Sequence, residues 1–166
     1  MSAAVLSIGS NVGDRWGYLR GCIASLGDVV RGVSPVYATA PWGGVTQAEF
    51  LNAILLVDDP DADAPEWLRR GQRCEAAAQR TRDVRWGPRT LDVDVIDVAQ
   101  TRWDEPDLTL PHPRAHQRAF VLMPWLDVQP DAVLAGYGPI DQLVAALPAS
   151  ERRGVRRRVD LELKSP

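Results

Sequence analysis

Two aspartates, Asp92 and Asp94, are the residues whose type and spacing point most directly to chemistry. Apolar and acidic residues alternate between positions 91 and 96, and in a β-strand this alternation puts both carboxylates on one face. Asp97 has the opposite parity and is expected to point away. Two neighbouring carboxylates disfavour each other's ionisation unless a cation lies between them, and Mg²⁺ prefers carboxylate oxygens together with water and phosphate. The pair therefore indicates either an Mg²⁺ site for phosphate chemistry or an exposed edge strand with solvated aspartates.

The segment that leads into this strand is rich in arginine, with seven arginines and two acidic residues between positions 69 and 89. Guanidinium groups bind phosphate oxygens in a bidentate manner, so arginines beside a metal-binding pair are typical of polyphosphate transfer. A salt-bridged helix face is the alternative, and it is favoured for the three arginines at 69–73. Phosphate binding is favoured for Arg80, Arg82 and Arg89. The chain has no GxxxxGK[ST] motif, which excludes a P-loop kinase.

A second group of residues could bind a flat heterocycle. Phe50 and Asn52 lie two residues apart in a strand-like run, so they share a face and combine an aromatic plane with an amide that both donates and accepts. Phe120 could supply a second aromatic plane. Taken alone, the same pattern also fits a core phenylalanine beside a structural asparagine.

The periodicity of the chain predicts a scaffold for these residues. Strands are predicted at 5–8, 29–37, 50–57, 91–98 and 159–163, and helices at about 15–26, 65–80 and 140–147, with a proline-punctuated stretch at 111–130. Residues 9–14 are predicted to turn the chain into the first helix. This order of strands and helices predicts one α+β domain over residues 1–166, a ferredoxin-like α/β sandwich with a mostly antiparallel sheet and helices packed on it.

Composition limits the class of protein. The chain has 166 residues, of which 45% are apolar and 25% charged, as in one globular domain. Two cysteines and two histidines without ligand spacing leave no zinc or iron-sulfur set, so any metal is expected to be oxygen-bound. No apolar run reaches the length of a membrane span, and the N-terminus lacks the features of a signal peptide. We expect a cytoplasmic protein without a membrane partner.

Taken together, these motifs resemble the 6-hydroxymethyl-7,8-dihydropterin pyrophosphokinase family. The signature stretch is residues 85–96, and shorter motifs at 8–11, 37–43, 50–53, 110–113 and 118–120 support it, so the resemblance covers about residues 5–130. It implies an α/β sandwich with a ferredoxin-like core. It also implies transfer of a pyrophosphoryl group from ATP to the hydroxymethyl group of the pterin, with release of AMP, in folate biosynthesis.

The resemblance also implies roles for individual residues. Asp92 and Asp94 would hold two Mg²⁺ ions against the triphosphate of ATP, with Arg82 and Arg89 assisting catalysis. The pterin would be bound by two ring planes, one amide, three backbone positions and an indole: Phe50, Phe120, Asn52, Thr39, Ala40, Trp42 and Trp86. The ATP side would be lined by Gln72, Glu75, Arg80, Arg82, Trp86, Arg89, Val95, Thr109, His112 and Arg118.

Some positions stand apart from the family pattern. Asp107 and Pro113 replace an arginine and a tyrosine that are common on the adenosine side. Residues 80–88 would form a closing loop. The chain beyond Pro130 could differ from the family without touching the site. Its arginines at 152–158 are expected to be solvated, and the sequence leaves open whether they touch the nucleotide.

A nucleic-acid-binding module of ferredoxin-like fold is the alternative from another class. It would need stacking aromatics on a central strand, where residues 91–98 present carboxylates. We therefore expect small-molecule substrates, no nucleic-acid partner and a monomer.

Overall fold

The structure, a computed structural model, describes residues 2–39, 49–79 and 90–166. The strands in this part of the chain are β1 (Ala3–Ser10), β2 (Val30–Val33), β3 (Tyr37–Thr39), β4 (Phe50–Asp58), β5 (Asp92–Val98), β6 (Trp103–Glu105), β7 (Leu108–Leu110), β8 (Val133–Leu134), β9 (Gly138–Pro139) and β10 (Val155–Arg157). The α-helices are α1 (Arg15–Leu26), α2 (Ala64–Gln79), α3 (Ala119–Val128), α4 (Ile140–Ala146) and α5 (Ala149–Arg153).

The main sheet has six strands in the order β10-β3-β4-β1-β5, with β2 paired to the far end of β4. Every pairing in it is antiparallel. Strand β1 is central and buried at every residue but its first, which explains its nearly continuous apolar sequence. The predicted α+β sandwich with a mostly antiparallel sheet is confirmed.

Helices cover both faces of this sheet, because β1, β4 and β5 bury side chains alternately on the two sides. One core lies under α1 and α2 and contains Leu6, Ile8, Leu19, Ile23, Leu55, Trp67, Val93 and Val95. The other core lies under α3 and α4 and contains Val5, Ile54, Ile96, Leu122, Trp125 and Ile140. The face under α3 is therefore apolar at Val5 and Ile54, and towards the start of β5 it carries the polar residues of the candidate site.

Helix α3 lies within the stretch for which only proline punctuation was predicted. Pro124 is inside the helix, where proline normally costs about 3 kcal/mol. The helix nevertheless forms, and it buries Leu122 completely and Trp125 almost completely.

The Tyr37 hydroxyl donates to the Asp127 carboxylate and so joins β3 to α3. Burial raises the pKa of Tyr37, and the adjacent Asp127 raises it further.

Two predicted strands differ from the structure. Residues 159–163 form no strand; Leu161 and Leu163 pack on the core in an irregular segment, and the final strand is β10 at Val155–Arg157. Residues 29–37 form two strands instead of one. The Ser34 N–H still donates to the Ile54 carbonyl of β4 at 2.9 Å, and the ladder is then interrupted because Pro35 has no backbone N–H to donate. The apolar pattern of the sequence did not distinguish a continuous strand from an interrupted strand or from an irregular segment that buries the same side chains.

The arginines at 69–73 form a surface ion-pair network, as predicted. Arg69 and Arg70 each donate to Glu66 at 2.9 Å, and Arg73 does so at 3.2 Å. These hydrogen bonds, led by the one from Arg70, lower the pKa of Glu66 to about 2. Among the described residues, no helix is long and apolar enough to cross a membrane.

The prediction that Asp97 points away from the face of Asp92 and Asp94 is wrong. A register shift in the pairing of β5 with β1 places Asp97 opposite Val5 and therefore on that face. Asp97 is 6% exposed; its Oδ2 accepts from the Gln100 N–H at 3.1 Å, and its Oδ1 has no partner within the described part of the chain. Burial raises the pKa of this carboxyl above its usual range.

We expect Asp97→Asn to remove a pH-dependent cost to stability. When the pKa of a carboxyl is higher in the folded state than in the unfolded state, the fold loses stability as the pH rises. The loss begins near the unfolded-state pKa, about 3.9, and is complete above the folded-state pKa. The asparagine keeps an oxygen for the Gln100 N–H and carries no charge. Thermal unfolding should therefore show a gain in Tm at pH 7 that disappears near pH 3.5. Equal pH dependence in both proteins would contradict this.

Candidate active site

Three residues on neighbouring strands form a row across the sheet. Asn52 of β4 lies opposite Gly9 of β1, and Gly9 lies opposite Asp92 of β5. Strand spacing is about 4.8 Å, so the backbones of Asn52 and Asp92 are roughly 10 Å apart. Directly paired residues share a face, and this face is the one on which α3 packs. The row thus brings the predicted heterocycle-binding amide and the predicted metal-binding pair to one end of one face.

Asp92 and Asp94 are both half-buried and lie opposite Gly9 and Ser7 of β1, while Val93 is buried on the other face. The predicted sharing of one face by the two carboxylates is confirmed. The Val93 N–H, on the outer edge of β5, donates to the Glu75 carboxylate of α2 at 3.2 Å. This bond fixes α2 beside the strand that carries the pair.

The donor set fits Mg²⁺. Within the described residues no group of three or more histidine, cysteine, aspartate or glutamate side chains is arranged to hold a metal. A cation bound by Asp92 and Asp94 would therefore complete its coordination with water or phosphate oxygens, which is the ligand combination that Mg²⁺ prefers. A structural zinc site would need three or four protein ligands, and within the described part of the chain no such group occurs.

His112 lies near the carboxylate pair. Its backbone N–H donates to Ile96 of β5 at 2.9 Å, and its ring Nδ1 accepts from the Arg114 N–H at 3.2 Å. Burial lowers the pKa of His112; the Asp94 charge opposes this, and Arg118 and Arg114 lower the pKa further. Because Nδ1 is an acceptor, the neutral ring carries its proton on Nε2, which can donate to an anion.

The predicted pterin-binding residues that the structure describes lie on the same side of the sheet. Asn52 is 5% exposed, and its Nδ2 donates to the Thr39 hydroxyl at 2.8 Å. Phe50 is half-buried and, by alternation along β4, shares the face of Asn52. Phe120 lies in the first turn of α3, with the Arg118 guanidinium 5.4 Å from its ring centroid. Arg118 and Phe120 are thus in direct contact.

Gly9 belongs to this site although the sequence predicted only a turn there. A Cβ at Gly9 would lie 2.7 Å from Asn52 Oδ1. The amide cannot simply move aside, because it is buried and Thr39 accepts from its other end. The missing side chain at Gly9 therefore gives Asn52 its place in the row. The turn itself follows Gly9, where Asp14 caps α1 by accepting from the Gly17 N–H at 3.0 Å.

The role predicted for Asn52 implies that Gly9→Ala weakens pterin binding by roughly tenfold, because a displaced Asn52 amide would lose one hydrogen bond to the ligand. Calorimetric titration with the pterin would measure this. Gly21→Ala is the matched control, since a Cβ at Gly21 meets nothing within 4 Å. Equal pterin affinity in both variants would contradict a role for Asn52.

The residues predicted for the ATP side are spread around β5. Gln72 is exposed on α2, Thr109 is exposed on β7, and Val95 is buried in the core on the face opposite Asp94. Two further predicted residues, Glu75 and His112, contact β5 itself: Glu75 accepts from the Val93 N–H, and the His112 N–H donates to the Ile96 carbonyl. The remaining predicted residues, Ala40, Trp42, Arg80, Arg82, Trp86 and Arg89, and the predicted closing loop at 80–88, lie outside the described residues.

The chain beyond Pro130, for which the sequence left any role at the site open, approaches this region. Strand β10 pairs with β3, so that Val155 lies opposite Thr39. Arg156 also donates to the Glu49 carboxylate at 2.9 Å, next to Phe50. Residues 155–157 show no apolar alternation, since two arginines follow one valine, so this strand could not be predicted from its own pattern.

An antiparallel sandwich that carries a carboxylate pair beside a histidine and an arginine is typical of enzymes that act on phosphate groups. The chain belongs to the 7,8-dihydro-6-hydroxymethylpterin-pyrophosphokinase (HPPK) family, whose model matches residues 5–130.

Relatives of known name agree with this assignment. A 2-amino-4-hydroxy-6-hydroxymethyldihydropteridine pyrophosphokinase of Mycobacterium tuberculosis is 49% identical over 168 residues, covering 94% of this chain and 89% of the relative. One from Bacillus subtilis is 39% identical over 129 residues, covering 75% of this chain and 77% of the relative.

A solved structure confirms the fold. The Plasmodium falciparum HPPK-DHPS structure with pteroate superposes with a TM-score of 0.68 at 12% identity, over 94% of this chain and 46% of that one. This chain therefore spans about half of that solved protein.

Proposed function

We propose that this protein is a diphosphotransferase that moves a pyrophosphoryl group from ATP to the hydroxymethyl group of 6-hydroxymethyl-7,8-dihydropterin, in folate biosynthesis. Membership of the HPPK family supports this. The observation that carries the proposal is the row from Asn52 through Gly9 to Asp92. A heterocycle held at Asn52 would extend its substituent towards a triphosphate held at Asp92, since roughly 10 Å separates the two positions.

On the pterin side, Phe50 and Phe120 would stack on the two faces of the ring, and Asn52 would hydrogen-bond its edge. Thr39 fixes the orientation of the Asn52 amide by accepting from Nδ2 at 2.8 Å, which leaves Oδ1 as an acceptor for a ring N–H. Backbone groups of Thr39, Ala40 and Trp42 would complete the edge. This arrangement would hold the ring rigidly with the hydroxymethyl group directed along the row.

On the nucleotide side, Asp92 and Asp94 would hold two Mg²⁺ ions, which when bound neutralise phosphate charge. His112 Nε2 and the Arg118 guanidinium would donate to phosphate oxygens, and Arg82 and Arg89 would do so from the arginine-rich segment. The side chain of Val95 is buried on the opposite face, so a nucleotide would meet its backbone at the outer edge of β5. Gln72, Glu75, Arg80, Trp86 and Thr109 would line the rest.

The reaction would be an in-line displacement. The hydroxymethyl oxygen forms a bond to the β phosphorus of ATP, the bond from that phosphorus to the oxygen bridging it to the α phosphorus breaks, and AMP leaves with that oxygen. The hydroxyl proton passes to solvent. The protein's contribution is to position the two substrates and to stabilise charge that develops on the phosphates.

A product assay tests this proposal. Chromatography of a reaction with ATP, Mg²⁺ and the pterin alcohol should show AMP formed in equal amount to the pterin consumed, and no AMP when the pterin is omitted. Release of ADP, or AMP formation independent of the pterin, would contradict the proposal.

We also propose that the enzyme acts as a monomer in the cytoplasm. The described site residues are brought together by one chain, through β1, β4, β5 and α3, which supports a monomer. Light scattering at assay concentration should give the mass of one chain, 18.3 kDa. A larger species whose dissociation abolished turnover would contradict this.

A further inference from the structure

Helix α3 has one proposed substrate-binding residue, Phe120, in its first turn and another, Arg118, at its N-cap position, but it has no side-chain cap of its own. The N-cap residue, Arg118, makes no side-chain capping hydrogen bond. The backbone N–H of Ala119, the first residue of the helix, instead donates to Glu151 Oε1 at 3.3 Å. Ala119 is fully buried, so its N–H depends on a protein acceptor. Glu151 therefore caps α3 from a distance of 32 residues along the chain.

Glu151 is itself held in place by the surrounding backbone. It lies in α5, where its N–H donates to the Pro148 carbonyl at 3.0 Å and its own carbonyl accepts from Gly154 at 3.2 Å. The chain then enters β10 directly, where Val155 pairs with Thr39 of β3. The segment 149–157 thus contacts both strand and helix of the proposed pterin site, although it lies outside the stretch that the family model matches.

We propose that Glu151 is a positioning residue that orients Phe120 and Arg118 for substrate binding. This inference rests on the proposed function, which assigns Phe120 to the pterin and Arg118 to the nucleotide. Ala119 lies between these two residues, and the Arg118 guanidinium lies over the Phe120 ring. A carboxylate at a helix N-terminus stabilises the first turn through the hydrogen bond and through the helix dipole.

Without this contact, the first turn of α3 would sample orientations that do not bind. The apparent dissociation constant of a ligand rises in inverse proportion to the fraction of protein in the competent orientation. Saturating pterin would restore that orientation by mass action. Loss of Glu151 should therefore raise KM for the pterin while kcat at saturation changes little, a split that a general loss of folded protein would not produce.

Three variants at one position separate the hydrogen bond from the charge. Glu151→Ala removes both, Glu151→Asp keeps the charge on a shorter side chain, and Glu151→Gln keeps an acceptor oxygen at the same reach without the charge. We expect KM for the pterin to rise about fivefold in the Ala and Asp variants, as for loss of one helix cap, and less than twofold in Gln. Arg153→Ala, an exposed change on the same helix, is the control.

The proposal is overturned if Glu151→Ala and wild type have the same KM for the pterin, or if Glu151→Gln is as impaired as Glu151→Ala. If the Ala variant does not fold, the comparison of Asp with Gln decides the same question. The amide proton resonance of Ala119 in the ligand-free protein should shift in Glu151→Asp; an unchanged resonance would refute the contact. Failure of wild type to use the pterin would refute the proposed function instead, and leave this amide measurement valid.

Discussion

Asp92→Asn and Asp94→Asn should each lower kcat by several orders of magnitude and leave the affinity for pterin alone nearly unchanged. Both carboxylates lie half-buried on one face at the end of the row, where the triphosphate would bind. Loss of metal-mediated charge neutralisation costs several kcal/mol at the transition state, and only where phosphate is present. Steady-state kinetics with saturating substrates, combined with calorimetric titration of the pterin without nucleotide, would separate the two effects.

Asp97→Asn is the matched control for these variants. It makes the same chemical change in the same strand and on the same face, but opposite Val5, whose side chain belongs to the apolar core under α3. Turnover in this variant should equal that of wild type. Near-normal turnover in both the Asp92 and the Asp94 variants would remove the proposed metal site.

Phe120→Ala should weaken pterin binding by about 1 to 3 kcal/mol, or roughly 5- to 150-fold, and weaken nucleotide binding much less. This is the binding free energy that is typically lost when one aromatic stacking partner of a bound base is removed. Phe120 is half-buried on the face that also carries Asn52, and it contributes little to the fully buried core of α3. Separate titrations with the pterin and with an ATP analogue would measure both affinities.

Phe120→Leu provides the control for this experiment. Leucine keeps an apolar side chain in the first turn of α3 but not the aromatic plane, so the fold should be maintained while pterin affinity still falls. Equal losses for pterin and nucleotide in Phe120→Ala would contradict the assignment and would point to a general disturbance through Arg118, whose guanidinium lies on the ring.

Local periodicity predicted the features that depend on one strand. The alternation at 91–96 placed Asp92 and Asp94 together because side-chain direction in a strand follows from the backbone alone. The same rule failed at Asp97, where a register shift against β1 changes the parity. Helix α3 was missed because tertiary burial of Leu122 and Trp125 outweighs the local cost of Pro124.

The site required contacts between distant segments, which no single pattern contains. The row from Asn52 to Asp92 depends on the registers of two strand pairs. Gly9 and Asn52, which lie opposite each other, are 43 residues apart in the chain. Gly9 is part of the site only because Asn52 lies opposite it. Glu151 accepts from Ala119 across 32 residues of the chain, just before β10 joins the edge of the sheet at β3. The motifs therefore predicted the chemistry, and the structure was needed for the neighbours that position it.

In the proposed reaction the pterin hydroxyl and the β phosphorus of ATP are brought together along this row, so that two phosphates move as one unit. Phosphorus NMR of a completed reaction with ATP, Mg²⁺ and the pterin alcohol tests it directly. We expect an AMP singlet together with two mutually coupled resonances from a diphosphate ester on the pterin. Resonances of ADP and of a pterin monophosphate would show transfer at the γ phosphorus and would contradict this mechanism.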